Sequence, residues 1–142
     1  MVTKNQRTHE RESSMVRIKN GIVIFEHQRR AEAPVNLAEL AQECHYRVNQ
    51  VAEQLEISPR QLERHFHKAV GVSPKYWMRI QRMIRARHMI RNGISLKRIA
   101  AELGFLKYDK FAQETKRFYE LSPLQMVGSE RRKCYEIEPA MG

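Results

Sequence analysis

Two segments of the chain place arginine, lysine, glutamine and carboxylate side chains at helical spacing. The first is SPRQLERHFHK, from Ser58 to Lys68, and the second is KYDKFAQETKR, from Lys107 to Arg117. Apolar residues recur in each at intervals of three or four, so the polar residues share the opposite face of a helix. A guanidinium or a side-chain amide can form two hydrogen bonds at once, which suits recognition of a fixed pattern of donors and acceptors such as a base edge.

In the first segment, two arginines are the strongest candidates for contact with base edges. Arg60 or Arg64 could form two parallel hydrogen bonds to guanine O6 and N7. Gln61 could do the same for adenine, and we expect secondary roles for Gln61 and Glu63. The alternative for all four residues is a solvated helix face.

In the second segment, the candidate residues are chemically more mixed. Lys110 and Gln113 can reach bases or phosphates, and Tyr108 can contact a thymine methyl group or a phosphate. Asp109 can accept from cytosine N4, or it can support the helix N-terminus, where negative charge is favourable. We expect phosphate contacts from a further set of residues: Ser58, His67, Lys68, Arg79, Arg82, Lys107, Lys116 and Arg117.

The composition favours a polyanionic partner. Lys and Arg number 26 against 16 Asp and Glu, which gives a formal charge of +10 in 142 residues. Nucleic acid is the first candidate and an anionic membrane surface the second. The longest apolar run, Ile22 to Phe25, is far shorter than the roughly 20 residues of a membrane span. We therefore expect a cytoplasmic protein with no membrane partner.

Three short helices are predicted to position the first segment, in a unit over residues 34–73. Asn36 begins a helix over 36–45, and a second helix covers 48–55. Ser58, Pro59 and Gln61 form a strong helix start, with a cap, a first-turn proline and a capping box. Two helices joined by a tight turn describe a helix-turn-helix, which can place its second helix in a major groove of duplex DNA.

The same pattern recurs after Gly93, in a second unit over residues 93–127. Val51 corresponds to Ile99, 48 positions later, and Leu62 to Phe111, 49 positions later. Both units finish in Ser-Pro, and a last short helix is predicted around 123–127. An internal repeat with one inserted residue is far more specific than a single helix-turn-helix match.

Residues 74–92, PKYWMRIQRMIRARHMIRN, are predicted to form a basic central helix between the units. Its apolar stripe comprises Trp77, Ile80, Met83, Ile84, Ala86 and Ile90. Nineteen residues make a helix of about 28 Å, and successive major-groove segments on one face of DNA lie ~34 Å apart. One chain could therefore cover two adjacent grooves, a site of roughly 20 base pairs.

The ends of the chain are predicted to be extensions, over 1–33 and 128–142. Asn20-Gly21 between β-branched runs predicts a β-hairpin over 16–25. A two-stranded hairpin is marginal alone, so it must pack on the body of the protein or on a partner. It is either a surface appendage or a docking element, so the chain is a monomer or a weak dimer formed through the hairpin. Cys44 shares a face with Leu37 and Leu40 and is predicted to be a buried core thiol.

Both units resemble the DNA-binding domain of the AraC/XylS transcription regulators. SPRQLERHFHKAVGVSP, from Ser58 to Pro74, is similar to the first unit, and IAAELGF, from Ile99 to Phe105, opens the second. Phe111, Lys116-Arg117 and Ser122-Pro123 follow in order, and Arg82 and Ala86 match the connecting helix. The resemblance implies an all-α domain of about seven helices. It also implies transcriptional control, usually activation through RNA polymerase, and base reading from Arg60, Glu63, Arg64, Tyr108, Asp109, Lys110 and Gln113.

Two departures from the family concern the second unit. Thr115 stands where phenylalanine is usual, and Glu120 where glycine is usual. We therefore expect the second unit to be less stable than the first, or to read DNA more weakly. Only about 33 residues precede Pro34, too few for the sensory domain that most members carry, so we expect a stand-alone regulator or one that has lost its sensor.

Other functions fit the sequence less well. No acidic residue is positioned beside Cys44-His45, and His65 and His67 do not share a helix face, so we expect no catalytic site, metal or cofactor. A module that grips an acidic protein through its basic helices and hairpin is the main alternative. Aromatic signatures of RNA-binding modules are missing.

Overall fold

The structure, a computed structural model, describes residues 15–27 and 32–137, with side chains described as far as residue 131. The strands are β1 (Val16–Lys19), β2 (Ile22–Phe25) and β3 (Val35–Asn36). The helices are α1 (Leu37–Glu43), α2 (Val48–Gln54), α3 (Pro59–Ala69), α4 (Pro74–Arg91), α5 (Leu96–Glu102), α6 (Tyr108–Tyr119) and α7 (Pro123–Ile137). The chain divides into unit 1 (Met1–Met78) and unit 2 (Arg79–Gly142), with the boundary inside α4.

The predicted N-terminal hairpin is confirmed, and it is part of the core of unit 1. Asn20 and Gly21 both have positive φ, of 53° and 77°, as the tightest hairpin turns require. Val16 pairs with Phe25, and both side chains are fully buried. β3 adds a third strand against β2, which the sequence did not indicate. The hairpin therefore packs on the body of the protein, and its role as a docking element stays a prediction.

The helix starts of unit 1 follow the predicted capping chemistry. The Asn36 side chain accepts hydrogen bonds from the backbone N–H groups of Ala38 and Glu39. The Ser58 hydroxyl accepts from the Gln61 N–H at 3.1 Å, and the Gln61 side chain accepts from the Ser58 N–H at 2.9 Å. The core between these helices comprises Leu37, Ala41, Val51, Ala52, Leu62 and Phe66. Cys44 is buried as predicted, and burial, with a smaller contribution from Glu43, raises the pKa of its thiol.

Unit 2 repeats the arrangement, but the buried face of α4 differs from the predicted stripe. Met83, Ala86 and Ile90 are buried as expected, whereas Ile84 is 47% exposed and Met89 is buried. At 100° per residue, Met89 lies about 60° beyond Ala86 on one side of the arc formed by the other three, whereas Ile84 lies about 100° beyond Met83 on the other side. Ile99, Leu103, Phe111 and Met126 complete the core of this unit.

The last helix is much longer than predicted. α7 continues to Ile137, where the sequence suggested a helix over 123–127 and then a loosely ordered tail. The charged run after Gly128 has no apolar period, which concealed the helix. One of its charges, Glu130, is only 3% exposed because α4 supplies cationic partners to it. Residues 138–142 of the expected tail lie outside the described residues.

The repeat extends to three left-handed backbone positions. His45, Glu56 and Gly71 in unit 1 have φ of 51°, 59° and 85°. The corresponding residues of unit 2 are Gly93, Gly104 and Glu120, with φ of 80°, 82° and 59°. At each pair one unit has glycine and the other a residue for which this conformation has a steric cost.

None of the helices in the described ranges combines the length and apolarity needed to cross a membrane.

Candidate nucleic-acid interface

The exposed face of α3 carries the first group of candidate residues. Arg60 and Arg64 lie one helical turn apart, so their side chains are neighbours on this face, with Glu63 beside them. All three are exposed. Neither arginine forms a hydrogen bond or ion pair with any described residue. Two guanidinium groups are therefore available side by side for an external acceptor.

Gln61 already has a structural role at the start of α3. Its Oε1 is the acceptor of the capping box, 2.9 Å from the Ser58 nitrogen. Bidentate recognition of adenine needs both the oxygen and the NH₂ group of the amide. While the cap is intact, this oxygen is directed at the Ser58 nitrogen with one lone pair in use, and the NH₂ group is the part of Gln61 without a capping role. The hydroxyl of Ser58 accepts from the Gln61 N–H and keeps its own proton to donate to a phosphate.

The two histidines of α3 differ in their exposure to solvent. His67 and Lys68 are exposed near the helix C-terminus. His65 is buried, and its Nδ1 accepts a hydrogen bond from the Met15 N–H at 3.4 Å. Burial lowers the pKa of His65, and the positive charges of Arg64 and Lys68 lower it further. The neutral ring thus joins the base of the hairpin to the helix that carries the two arginines.

The N-terminal half of α6 carries the second group. Tyr108, Asp109, Lys110 and Gln113 are all exposed. Asp109 lies in the first turn, where its charge opposes the positive end of the helix dipole. Tyr108 packs edge-on against the buried Phe111 ring, with centroids 5.8 Å apart, which restricts the phenol. Lys107 is the exposed N-cap residue and makes no side-chain capping bond.

A cleft of about 420 Å³ runs beside α6 within unit 2. Its lining includes Lys110, Gln113 and Arg117, which recur at the spacing of a single face of α6, and Leu106 from the preceding turn. Arg79 and Arg82 also line the cleft, so the structure brings five predicted site residues together with Leu106, which sequence reasoning missed. Leu106 is 91% exposed and precedes α6 in the turn of the helix-turn-helix.

Two of the predicted phosphate contacts have partners inside unit 2. The Arg79 guanidinium donates from Nε and Nη2 to Oε1 of Glu114, at 3.1 and 2.8 Å. The Arg82 guanidinium lies over the Phe105 ring, 4.2 Å from its centroid. Both arginines are partly buried and line the cleft. Their charges contribute to its potential, while their positions are fixed by α6 and by the preceding turn.

The remaining two phosphate candidates lie in the last turn of α6. Lys116 is exposed, and its Nζ lies 3.4 Å from the Glu120 carbonyl oxygen, at the helix C-terminus. Arg117 is exposed and forms no hydrogen bond or ion pair with the described residues. Of the two cations in this last turn, Arg117 is therefore the better placed to meet an external anion.

A second arginine cluster fixes α7 against α4. Arg91 donates to Oε2 of the buried Glu130 at 2.8 Å, and Arg87 lies 3.9 Å from Oε1. The Tyr119 hydroxyl donates to the Met83 carbonyl at 2.8 Å. Burial raises the pKa of Tyr119, Arg87 opposes this shift, and Glu130 adds to it. These arginines stabilise unit 2 and are poor candidates for contact with a ligand.

The comparisons with known proteins agree with this arrangement. Residues 51–128 match a family described as a helix-turn-helix domain, and no curated protein matches the sequence. The DNA-binding domain of AdpA, a global transcriptional factor solved with a target DNA, is 25% identical, with a TM-score of 0.59 over 68% of this chain and 94% of that chain.

Two further solved structures share the fold. An AraC-type transcriptional regulator from Chromobacterium violaceum is 22% identical, with a TM-score of 0.55 over 66% of this chain and 88% of that one. The C-terminal domain of the response regulator yesN from Fusobacterium nucleatum is 23% identical, with a TM-score of 0.56 over 64% and 94%. The chain belongs to the AraC-type helix-turn-helix family, whose members here are DNA-binding transcription regulators.

Proposed function

We propose that this chain is a sequence-specific regulator of transcription that binds double-stranded DNA with both units, each contributing one helix to a major-groove segment. The observation that carries the proposal is the repeated recognition helix. α3 and α6 occupy equivalent places in two units, and each has exposed polar side chains without internal partners, Arg60 and Arg64 in one, Lys110 and Gln113 in the other.

The roles of the candidate residues follow from their surroundings. Arg60 and Arg64 read base edges, with Glu63 modulating the choice of base. In unit 2, Lys110 and Gln113 contact base edges or phosphates. Asp109 stabilises the start of α6. Phosphate contacts come from the exposed cations and the capping hydroxyl: Ser58, His67, Lys68, Lys107, Lys116 and Arg117. Gln61, Arg79 and Arg82 position these groups from within the fold.

The remaining parts of the proposal rest on the family resemblance and on the hairpin. Activation through contact with RNA polymerase is what the AraC/XylS resemblance implies. A monomer is the favoured form, because the hairpin uses its apolar residues Val16 and Phe25 inside unit 1. Regulators of this family act through DNA, so we propose no catalytic activity.

Selection of bound sequences from a random duplex pool tests the proposed function. We expect one sequence class to be enriched and to compete far better than random duplex. If six to ten phosphates are neutralised, affinity should fall by ~10³–10⁵ between 50 and 200 mM salt. The matched control is a variant with Arg60 and Arg64 both replaced by alanine, which should keep non-specific binding and lose the enrichment at the half-site of unit 1.

The alternative function is a module that grips an acidic protein. It predicts that neither random nor selected duplex competes with an acidic polypeptide for the chain. Enrichment of no sequence class, together with the absence of salt-dependent binding to random duplex, would reject the DNA-binding proposal in favour of this alternative.

A further inference from the structure

We propose that Leu106 is a specificity-determining residue that contacts the C5-methyl group of a thymine in the half-site bound by unit 2. This inference rests on the proposed function. Thymine is distinguished in the major groove by this methyl group, which an apolar side chain recognises by contact.

Leu106 is exposed to an unusual degree for a large aliphatic side chain. It is 91% exposed, more than any other large apolar residue in the described part of the chain. The residue before it, Phe105, packs against Phe111 with ring centroids 5.4 Å apart. Phe105 thereby supplies the apolar contact of this turn to the core of unit 2, and Leu106 supplies none. Leaving such a side chain in water forgoes the stabilisation that burial would give.

The position of Leu106 is that of a reading residue. It lies in the turn between α5 and α6, two residues before the first residue of α6. The N-terminal end of the second helix is the part of a helix-turn-helix that meets base edges. Leu106 also lines the same cleft as Lys110, Gln113 and Arg117. An apolar group on a face that otherwise carries cations and an amide fits the thymine methyl better than a phosphate.

The structure also argues against the other apolar candidate for this contact. Tyr108 is half-exposed, and its ring is held edge-on against Phe111. Leu106 has no such restraint. We therefore assign the methyl contact to Leu106 and leave the Tyr108 hydroxyl for a phosphate.

Removal of single methyl groups from the DNA tests the assignment. In the selected duplex, each thymine of the unit 2 half-site is replaced in turn by deoxyuridine, which lacks only the C5-methyl group. For the wild-type chain we expect about a fourfold loss of affinity at one position, the value for one buried methyl-sized group. Leu106→Ala should bind the parent duplex about tenfold more weakly and show no further loss at that position.

The control is another exposed leucine of the same unit. Leu124 is 74% exposed in the first turn of α7, and Leu124→Ala should leave both the affinity and the deoxyuridine penalty unchanged. Circular dichroism checks that both variants remain folded. The inference is overturned if Leu106→Ala keeps the wild-type penalty, or if no thymine in the half-site is sensitive to loss of its methyl group. Specific binding with an unchanged penalty would reject Leu106 alone, whereas absence of specific binding would reject the proposed function with it.

Discussion

At the scale of single residues, the arginines of this chain fall into two groups according to their partners. Arg79 and Arg91 each donate two hydrogen bonds to a glutamate within unit 2. Arg60 and Arg64 have no such partner and face solvent. An exposed guanidinium without an internal acceptor breaks no hydrogen bond within the protein when it binds a base edge. It can form two directional hydrogen bonds there.

Arg64→Ala should weaken binding to the selected duplex by about 1–3 kcal/mol and relax the sequence preference at one position. The physical reason is the loss of a bidentate contact to guanine. Titration against duplexes carrying each base at that position measures both effects. Arg17→Ala is the matched control, because Arg17 is an exposed arginine of the same unit that pairs with Glu26 on the hairpin. Equal loss on all four duplexes would assign Arg64 to a phosphate instead.

His65 should make unit 1 sensitive to mild acid. Burial lowers the folded-state pKa of His65 below its ordinary value of 6.5. At higher pH the ring is neutral in both states, and its contribution to the free energy of unfolding is fully present. Below about pH 6.5 the unfolded chain binds a proton that the folded chain excludes, so stability falls.

Thermal unfolding from pH 8 to pH 5 measures this effect. His65→Asn keeps an acceptor near Nδ1 and cannot be protonated in this range. We expect the wild type to lose more stability than the variant as pH falls. Parallel curves for the two proteins would show that His65 does not titrate between the folded and unfolded states.

At the scale of elements, the left-handed positions set the balance between the two units. The sequence suggested that Glu120 weakens unit 2, because it replaces a helix-ending glycine. Glu120 does adopt the left-handed conformation, with φ of 59°. In unit 1, His45 and Glu56 adopt the same left-handed conformation without being glycine. This steric cost therefore does not make unit 2 less stable than unit 1. The lower stability of unit 2 remains a prediction that depends on Thr115, which is buried and bonds the Ala112 carbonyl.

Glu120→Gly should stabilise unit 2 by about 1 kcal/mol, because glycine adopts the left-handed conformation without a steric cost. The hydrogen bond that Lys116 donates to residue 120 goes to the backbone and is kept. Urea unfolding gives the free energy. Gly71→Ala, at the equivalent position of unit 1, should be destabilising by a similar amount, since no atom obstructs its Cβ and only the backbone conformation opposes it. A Glu120→Gly variant no more stable than the wild type would contradict this account.

Elements with local signals could be predicted from the sequence, and elements held by distant contacts could not. Asn20-Gly21 specifies the hairpin turn, and Ser58-Pro59 with Gln61 specifies the start of α3, because each signal lies within four residues. α7 depends on Glu130 meeting Arg91, which is 39 residues away in the chain. No local pattern contains that pair, so the sequence alone predicts a tail after Gly128.

The candidate site shows the same limit. Residue type and spacing located the faces of α3 and α6, but they assigned Gln61 both a capping and a base-reading role, and the cap occupies its oxygen. The pairing of Arg79 with Glu114 joins two helices and is invisible to periodicity. Leu106 was missed because a leucine next to a turn is ordinarily buried; only its exposure distinguishes it.

At the scale of the whole molecule, the formal charge is +10, and only some of the cations are paired with carboxylates. Glu114 and Glu130 neutralise arginines inside unit 2, and Glu102 pairs with Arg98 on α5. The cations left on α3 and α6 are available to a polyanion. In the proposed interface, unit 1 contributes two arginines to base reading, whereas unit 2 contributes a lysine and a glutamine. Because arginine forms the stronger bidentate contact, we expect unit 1 to contribute more to sequence preference.

The most direct test of binding by both units is a hydroxyl-radical footprint of the full chain on its selected duplex. We predict two protected blocks that together span roughly 20 base pairs. Replacing Arg60 and Arg64 with alanine should weaken one block, and replacing Lys110 and Gln113 should weaken the other, with a smaller loss of affinity. A single protected block of about one helical turn, unaffected by one of the two double substitutions, would contradict the claim that both units bind DNA.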